Sequence, residues 1–420
     1  MEEIFPFIGY RGRRLFVEDV DVQAVAKKIG TPAYVYSKAA FSYWFNEFDS
    51  AFGDVEHLTA FAVKSCSNIA ILKLLAEMGA GADTVSAGEI FRAVNAGIPS
   101  EKIVFAGVGK RRDEMEYALS CGILMFNVES RQELETLNRV AEKIGKKAKI
   151  AVRVNPDVDP KTHPYISTGL RTSKFGIDYG EAFDVYMKAK EMRWIEPVGI
   201  HFHIGSQILD VSPFKEASSK VADLVKALRD KGLDIEYFDA GGGLGINYHP
   251  EEKPPAASSL AEMIVPFVKE LDCKLILEPG RRISGNSGLL LTEILYVKRK
   301  EGKTFYIVDA AMNDCMRPSL YDAYHHIVPV EKKETVEIVD VVGPVCETGD
   351  IFAKDRRVGR CEQGDILAIL SAGAYGFSMA SNYNSRVRPP EVLVSNRDFK
   401  VIRERETFGS LIEGEKILWL

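Results

Sequence analysis

The chain has 420 residues, of which 46% are hydrophobic and 27% charged, and its net charge is −6. That length can hold two cores, the composition is that of a folded globular protein, and the charge balance gives no overall pull toward nucleic acid. The opening residues MEEIFPFIGYRGRR lack the apolar centre of a signal peptide, and the six cysteines show neither CxxC nor zinc-ligand spacing. No apolar stretch approaches the ~18 residues of a membrane span. A reducing, cytoplasmic setting is expected, with no membrane or nucleic-acid partner.

Residues 15–37, LFVEDVDVQAVAKKIGTPAYVYS, begin strand-like and turn helical in the middle. Eight β-rich runs then follow: 57–64 (HLTAFAVK), 82–87 (ADTVSA), 102–107 (KIVFAG), 124–129 (LMFNVE), 149–155 (KIAVRVN), 198–205 (VGIHFHIG), 235–241 (IEYFDAG) and 274–280 (KLILEPG). Helical patterns fill most gaps, at 68–80, 86–97, 111–122 and 130–145, with apolar residues three and four apart and glycine at several ends. Eight strand–helix alternations predict an α/β chain built on a (β/α)₈ TIM barrel. An open doubly wound sheet is the alternative, but no GxGxxG follows the first strand.

The pattern changes after residue 288. Runs such as LLLTEILYVKRK, KTFYIVDA, KKETVEIVDVVG, GDILAIL and PPEVLVSN read as strands between turns, a C-terminal all-β domain. The expected division is residues 1–30 as a segment joining the β domain, 31–285 as the barrel, and 286–420 as a β-sandwich or barrel-like domain.

A barrel places its active site at the C-terminal ends of its strands. The polar residues there are Lys64, Asp83, Arg153, His201, His203, Gly241–Gly243, Glu278 and Arg281. Lys64 ends an apolar run, which suits a buried amine able to form a Schiff base or a lysine that snorkels to water. Gly241-Gly242-Gly243-Leu244-Gly245 follows the seventh strand, where such barrels commonly bind phosphate; a tight turn would look the same. Glu278 could pair with a protonated heterocyclic nitrogen or form a salt bridge with Arg153 or Arg281. His201 and His203 share a strand face and could ligate a metal, but no other ligand cluster supports that, and stacking on a flat ring suits His203 better. An amine, a phosphate nest, an acid for a ring nitrogen and a stacking imidazole are together the parts of a pyridoxal 5'-phosphate site.

The segments FAVKSCSN (61–68), GADTVSAGE (81–89), RVNPDVDPKTHPYISTGLRTSKFGI (153–177), HFHIGSQ (201–207), DAGGGLG (239–245), EPGR (278–281), RPSLYDAYH (317–325), GPVCETGD (343–350) and GAYGFSMASNYNSR (373–386) carry a family resemblance. The chain resembles the diaminopimelate decarboxylases, of the barrel-type pyridoxal-phosphate decarboxylases that share their barrel with alanine racemase. One departure is Ser65-Cys66, where an alanine-asparagine pair commonly follows the lysine.

The resemblance implies that Lys64 carries the cofactor, His203 stacks on its ring and Glu278 pairs with its ring nitrogen. Ser206, Gly243, Gly280, Arg281 and Tyr375 would surround its phosphate, with Asp83 and Arg153 supporting the ring and the lysine. Arg281, Arg317 and Tyr321 would bind the substrate's distal carboxylate, with Tyr375 among the substrate contacts. Glu347 would read the distal ammonium, and Cys346 would reprotonate the reacting carbon. Cys346 and Glu347 would reach into the other subunit's site, which implies a homodimer. The implied reaction is decarboxylation of meso-2,6-diaminopimelate to L-lysine, the last step of lysine synthesis. The alternative is a decarboxylase of ornithine, arginine or lysine, but those substrates lack the distal carboxylate and so do not need Arg317 and Glu347 together. A racemase, a non-catalytic pyridoxal-phosphate barrel and a metal-dependent hydrolase fit the residues less well.

Overall fold

The computed structural model of the chain describes residues 4–159 and 173–418. Residues 160–172, the middle of the 153–177 motif, lie outside the described residues. The described chain divides into two units, a barrel of residues 44–246 and 253–283 and a β-rich unit of residues 4–43, 247–252 and 284–418.

The barrel strands are β1 (His57–Ala62), β2 (Gly81–Thr84), β3 (Ile103–Phe105), β4 (Met125–Val128), β5 (Ala148–Asn155), β6 (Ile195–His201), β7 (Tyr237–Asp239) and β8 (Lys274–Leu277). Each runs parallel to the next, and β8 closes on β1 through Leu275–Leu277 against His57–Thr59. Ala60, Val104, Met125, Ala151, Val198 and Ile276 form one buried cluster drawn from six of these strands. Alternation along each strand turns their neighbours Phe61, Phe105 and Phe126 to the opposite face, also buried.

The helices form where periodicity predicted them. Asn68, Ser86 and Ser130 cap Ile69–Glu77, Ala87–Asn95 and Arg131–Ile144, each accepting a backbone N–H that the first helical turn leaves unpaired. Gly145 ends the last of these in the left-handed conformation.

In the β-rich unit, Gly288–Lys300 is the organising strand. Its first half pairs with Ala33–Ser37 and Ile366–Ile369, its second half with Lys303–Val308. Ala33–Ser37 also pairs in parallel with Glu391–Ser395. Residues 31–43, assigned by position to the barrel, therefore belong with the β-rich unit. The physical reason is the ladder: a fully buried AYVYS strand finds both its neighbours there. The core joins Val35, Leu289, Leu291, Ala368 and Val392 to Leu15, Val17 and Val25 of the N-terminal hairpin and helix.

Candidate active site

Register lines up the strand ends. Ala62 stands opposite Asp83, and Arg153, His201 and Asp239 stand opposite one another on β5, β6 and β7. Glu278 is the first residue beyond β8. Nine predicted residues lie in this unit: Lys64, Asp83, Arg153, His203, Ser206, Gly243, Glu278, Gly280 and Arg281.

Lys64 sits in a 3₁₀ turn, Val63–Ser65, just past β1. Its side chain is 37% exposed, with Nζ 2.6 Å from Oδ2 of the fully buried Asp83. Burial and the Glu278 charge push the Asp83 carboxyl above its ordinary range, while Lys64 pulls it back. Glu89 adds a second carboxyl: burial raises it to about 7, against the Val85 amide that donates to it at 2.7 Å and the Lys64 charge.

Glu278 meets two groups that sequence reasoning did not assign. Asn127 Nδ2 donates to Glu278 Oε1 at 3.3 Å and to Asp239 Oδ2 at 3.1 Å. His201 Nε2 lies 3.5 Å from Glu278 Oε2, an ion-pair distance but long for a hydrogen bond. The two carboxyls are driven apart. Burial and the Glu278 charge push Asp239 well up, against the Gly241 amide and the Asn127 side chain that donate to it. Burial opposes the Glu278 charge as well, but His201 and then Lys64 outweigh it and hold its pKa below the carboxylate range. Of the ion pairs considered for Glu278, Arg153 turns instead to Glu129, at 3.1 Å.

His203 accepts a hydrogen bond from the Gly242 amide on Nδ1 at 3.1 Å. Burial, then the Arg153 charge, pushes its pKa well down, so the ring is neutral. The glycine run is required by packing as well as by any anion. A Cβ on Gly242 would run into the Glu278 carbonyl oxygen, and one on Gly243, at φ +123°, into that of Gly205. Arg281, 6% exposed, donates from Nη2 to Ser206 Oγ at 2.9 Å, so a guanidinium and a hydroxyl stand together as anion ligands. Arg153 lies over the Phe175 ring at 4.7 Å and is backed by a second buried pair, Lys110 Nζ to Glu133 Oε1 at 2.7 Å.

Arg317, Tyr321, Cys346, Glu347 and Tyr375 lie in the β-rich unit. Arg317 is buried, and its guanidinium carbon stands 4.5 Å over the Tyr248 ring. Cys346 and Glu347 are exposed. The loop bearing them wraps the Asp350 carboxylate, which accepts from the Val345 amide at 2.8 Å and the Met312 amide at 2.7 Å. Asn384 Oδ1 takes the Cys346 amide at 3.2 Å, and the Tyr383 hydroxyl donates to Glu347 Oε2 at 3.0 Å. Tyr375 is partly buried, at φ +55°. The structure thus gathers the cofactor candidates, Tyr375 excepted, at one end of the barrel and keeps the substrate candidates, Arg281 excepted, on the other unit.

The barrel residues fit pyridoxal 5'-phosphate. They offer an amine, a carboxylate held ionised, a neutral imidazole and an Arg–Ser pair, and Asp83 Oδ1 is a buried oxygen with no hydrogen-bond donor among the described residues.

The comparisons agree. The family model for the pyridoxal-dependent decarboxylases, pyridoxal binding domain, matches residues 38–285. The chain is 53% identical over 414 residues, 98% of each chain, to a diaminopimelate decarboxylase of Aquifex aeolicus. It also matches the crystal structure of the Helicobacter pylori diaminopimelate decarboxylase complexed with L-lysine (TM-score 0.91, 45% identity, 94% of this chain and 98% of that one). The M. jannaschi diaminopimelate decarboxylase structure matches at TM-score 0.94 and 41% identity, over 99% of this chain and 98% of that one.

Proposed function

The chain belongs to the pyridoxal-dependent decarboxylases, and we propose that it removes one carboxyl group of meso-2,6-diaminopimelate, giving L-lysine and carbon dioxide. The observation that carries this reading is a carboxylate held ionised, Glu278 just past β8, in the barrel whose β1 is followed by the amine Lys64. The substrate is supported by relatives of that name that match nearly the whole chain.

When bound, pyridoxal phosphate supplies an electron sink, provided its ring nitrogen stays protonated. Glu278, favoured in its ionised form by His201, would accept from that ring N–H and so keep the nitrogen protonated. His203 would stack on the ring; being neutral, it would add no charge to that face. Lys64 would hold the cofactor, and Asp83, 2.6 Å from its Nζ, would be the ion-pair partner of the lysine in its ammonium form. Arg153 braces the ring side from its seat on Glu129. Ser206, Gly243, Gly280, Arg281 and Tyr375 bind the phosphate.

Arg281, Arg317 and Tyr321, with Tyr375, hold the substrate's distal carboxylate, and Glu347 takes the distal ammonium. Cys346 delivers the proton that replaces carbon dioxide. Cys346 and Glu347 act across a homodimer, a reading supported by their exposure on a single chain. All six cysteines are free thiols, which supports a cytoplasmic setting; among the described residues no helix is long and apolar enough to cross a membrane.

The test is a panel of meso-, LL- and DD-diaminopimelate, ornithine, arginine and lysine, offered to purified protein with pyridoxal phosphate. Carbon dioxide should come from meso-diaminopimelate. Faster release from ornithine, arginine or lysine would overturn the assignment.

A further inference from the structure

We propose that His325 is a positioning residue for Arg317, and through it for the carboxylate the substrate keeps. The proposal rests on Arg317 gripping that carboxylate. Arg317 opens the short helix Arg317–Tyr321 and is 6% exposed. Tyr248 and His325 hold its guanidinium. Tyr248 lies under it, 4.5 Å from ring centre to guanidinium carbon. His325 Nε2 lies 3.3 Å from Arg317 Nη1.

The imidazole has no choice of tautomer. His325 Nδ1 is 2.8 Å from the Leu370 carbonyl oxygen, which can only accept, so the proton sits on Nδ1. Nε2 then presents a lone pair to Arg317. Leu370 follows the strand Ile366–Ile369, and its amide donates to the His326 carbonyl at 2.8 Å. Tyr248 meets the His325 ring edge-on at 5.3 Å and 74°. A sheet strand thus fixes an imidazole, and the imidazole fixes one edge of a guanidinium whose plane an aromatic ring already sets.

A free arginine side chain samples many rotamers, which binding must freeze. Fixing it before the ligand arrives removes that cost from binding. Nothing in the arrangement bears on the bond that breaks. His325 is fully buried, so it acts through Arg317 rather than on the substrate.

The experiment compares His325→Asn, His325→Gln, Arg317→Ala and the double variant Arg317→Ala/His325→Asn. Asparagine can still donate to the Leu370 carbonyl but is too short to accept from Arg317; glutamine reaches. The readouts are KM and kcat for meso-diaminopimelate, and inhibition by L-lysine and by 1,5-diaminopentane, which is lysine without its carboxylate. His325→Asn should raise KM and the L-lysine inhibition constant about ten-fold, the scale of one hydrogen bond to a charged group. It should leave kcat and inhibition by the diamine unchanged. His325→Gln should stay near wild type, and the double variant should be no worse than Arg317→Ala. Unchanged KM in His325→Asn beside a raised KM in Arg317→Ala overturns the proposal alone. Equal losses for L-lysine and the diamine also overturn it. Unchanged KM in Arg317→Ala overturns the reading of Arg317, and the proposal with it.

Discussion

The Gly242 amide donates to His203 Nδ1 at 3.1 Å, which requires a lone pair on that nitrogen and so a neutral imidazole. Burial and the Arg153 charge favour the same state. In the unfolded chain this histidine returns to its ordinary pKa of ~6.5. Below that pH the unfolded state takes up a proton that the folded state refuses. The stability His203 contributes is therefore complete above pH ~6.5 and is lost as pH falls toward its lowered folded value. Urea unfolding between pH 7.5 and 5.5 should show a slope of up to roughly 1.4 kcal/mol per pH unit that His203→Gln removes. An identical slope in the variant would place the titration elsewhere.

Glu278→Gln should keep the cofactor but slow decarboxylation by on the order of 10²-fold or more, since an amide cannot hold a proton on the ring nitrogen. Occupancy is read by absorbance and turnover by carbon dioxide release. Near-normal turnover at full occupancy would reject the role given to Glu278.

The Lys110–Glu133 pair makes a different prediction, about stability. Lys110 Nζ also donates to the carbonyls of Gly107 at 2.8 Å and Asn127 at 2.7 Å, and its side chain is wholly buried. Lys110→Met should cost about 3–5 kcal/mol, because Glu133 is left charged in the interior. Adding Glu133→Leu should recover part of that loss in chemical denaturation. A Lys110→Met loss below about 1 kcal/mol would show that water reaches Glu133.

The barrel and its strand-end residues were legible in the sequence because both signals are local. Strand runs and apolar helical spacing sit within ten residues, and Lys64, Arg153, His203 and Glu278 mark strand ends by position. The partners were not legible. Asn127 joins Asp239 and Glu278 across 112 and 151 residues of sequence. The upward push on Asp239 depends on Glu278 being close, which sequence spacing does not show. The strand Ile351–Gly359 also escaped: it lies at a sheet edge, paired on one side only, and its Lys354-Asp355-Arg356-Arg357 centre breaks the apolar pattern. Ala33–Ser37 was placed in the wrong unit because its ladder partners lie more than 250 residues away.

Glu347 should decide substrate choice. The distal ammonium of diaminopimelate needs an acceptor once it leaves water. Glu347→Ala should cost roughly 2–5 kcal/mol in kcat/KM for diaminopimelate, the range for truncating one side of a buried charged pair. The geometry is tested by mixing Glu347→Ala with Lys64→Ala subunits. If Glu347 crosses the dimer, each mixed dimer has one site with both defects and one with neither, so activity returns. No recovery in verified mixed dimers would mean that Glu347 serves its own subunit or no site.

The central claim is that Lys64 is the amine that carries the cofactor. Borohydride reduction of the protein loaded with pyridoxal phosphate, followed by peptide mapping, should place the covalent label on Lys64. Lys64→Ala should lose both the label and nearly all turnover. Label on any other lysine, or full turnover in Lys64→Ala, would contradict the account.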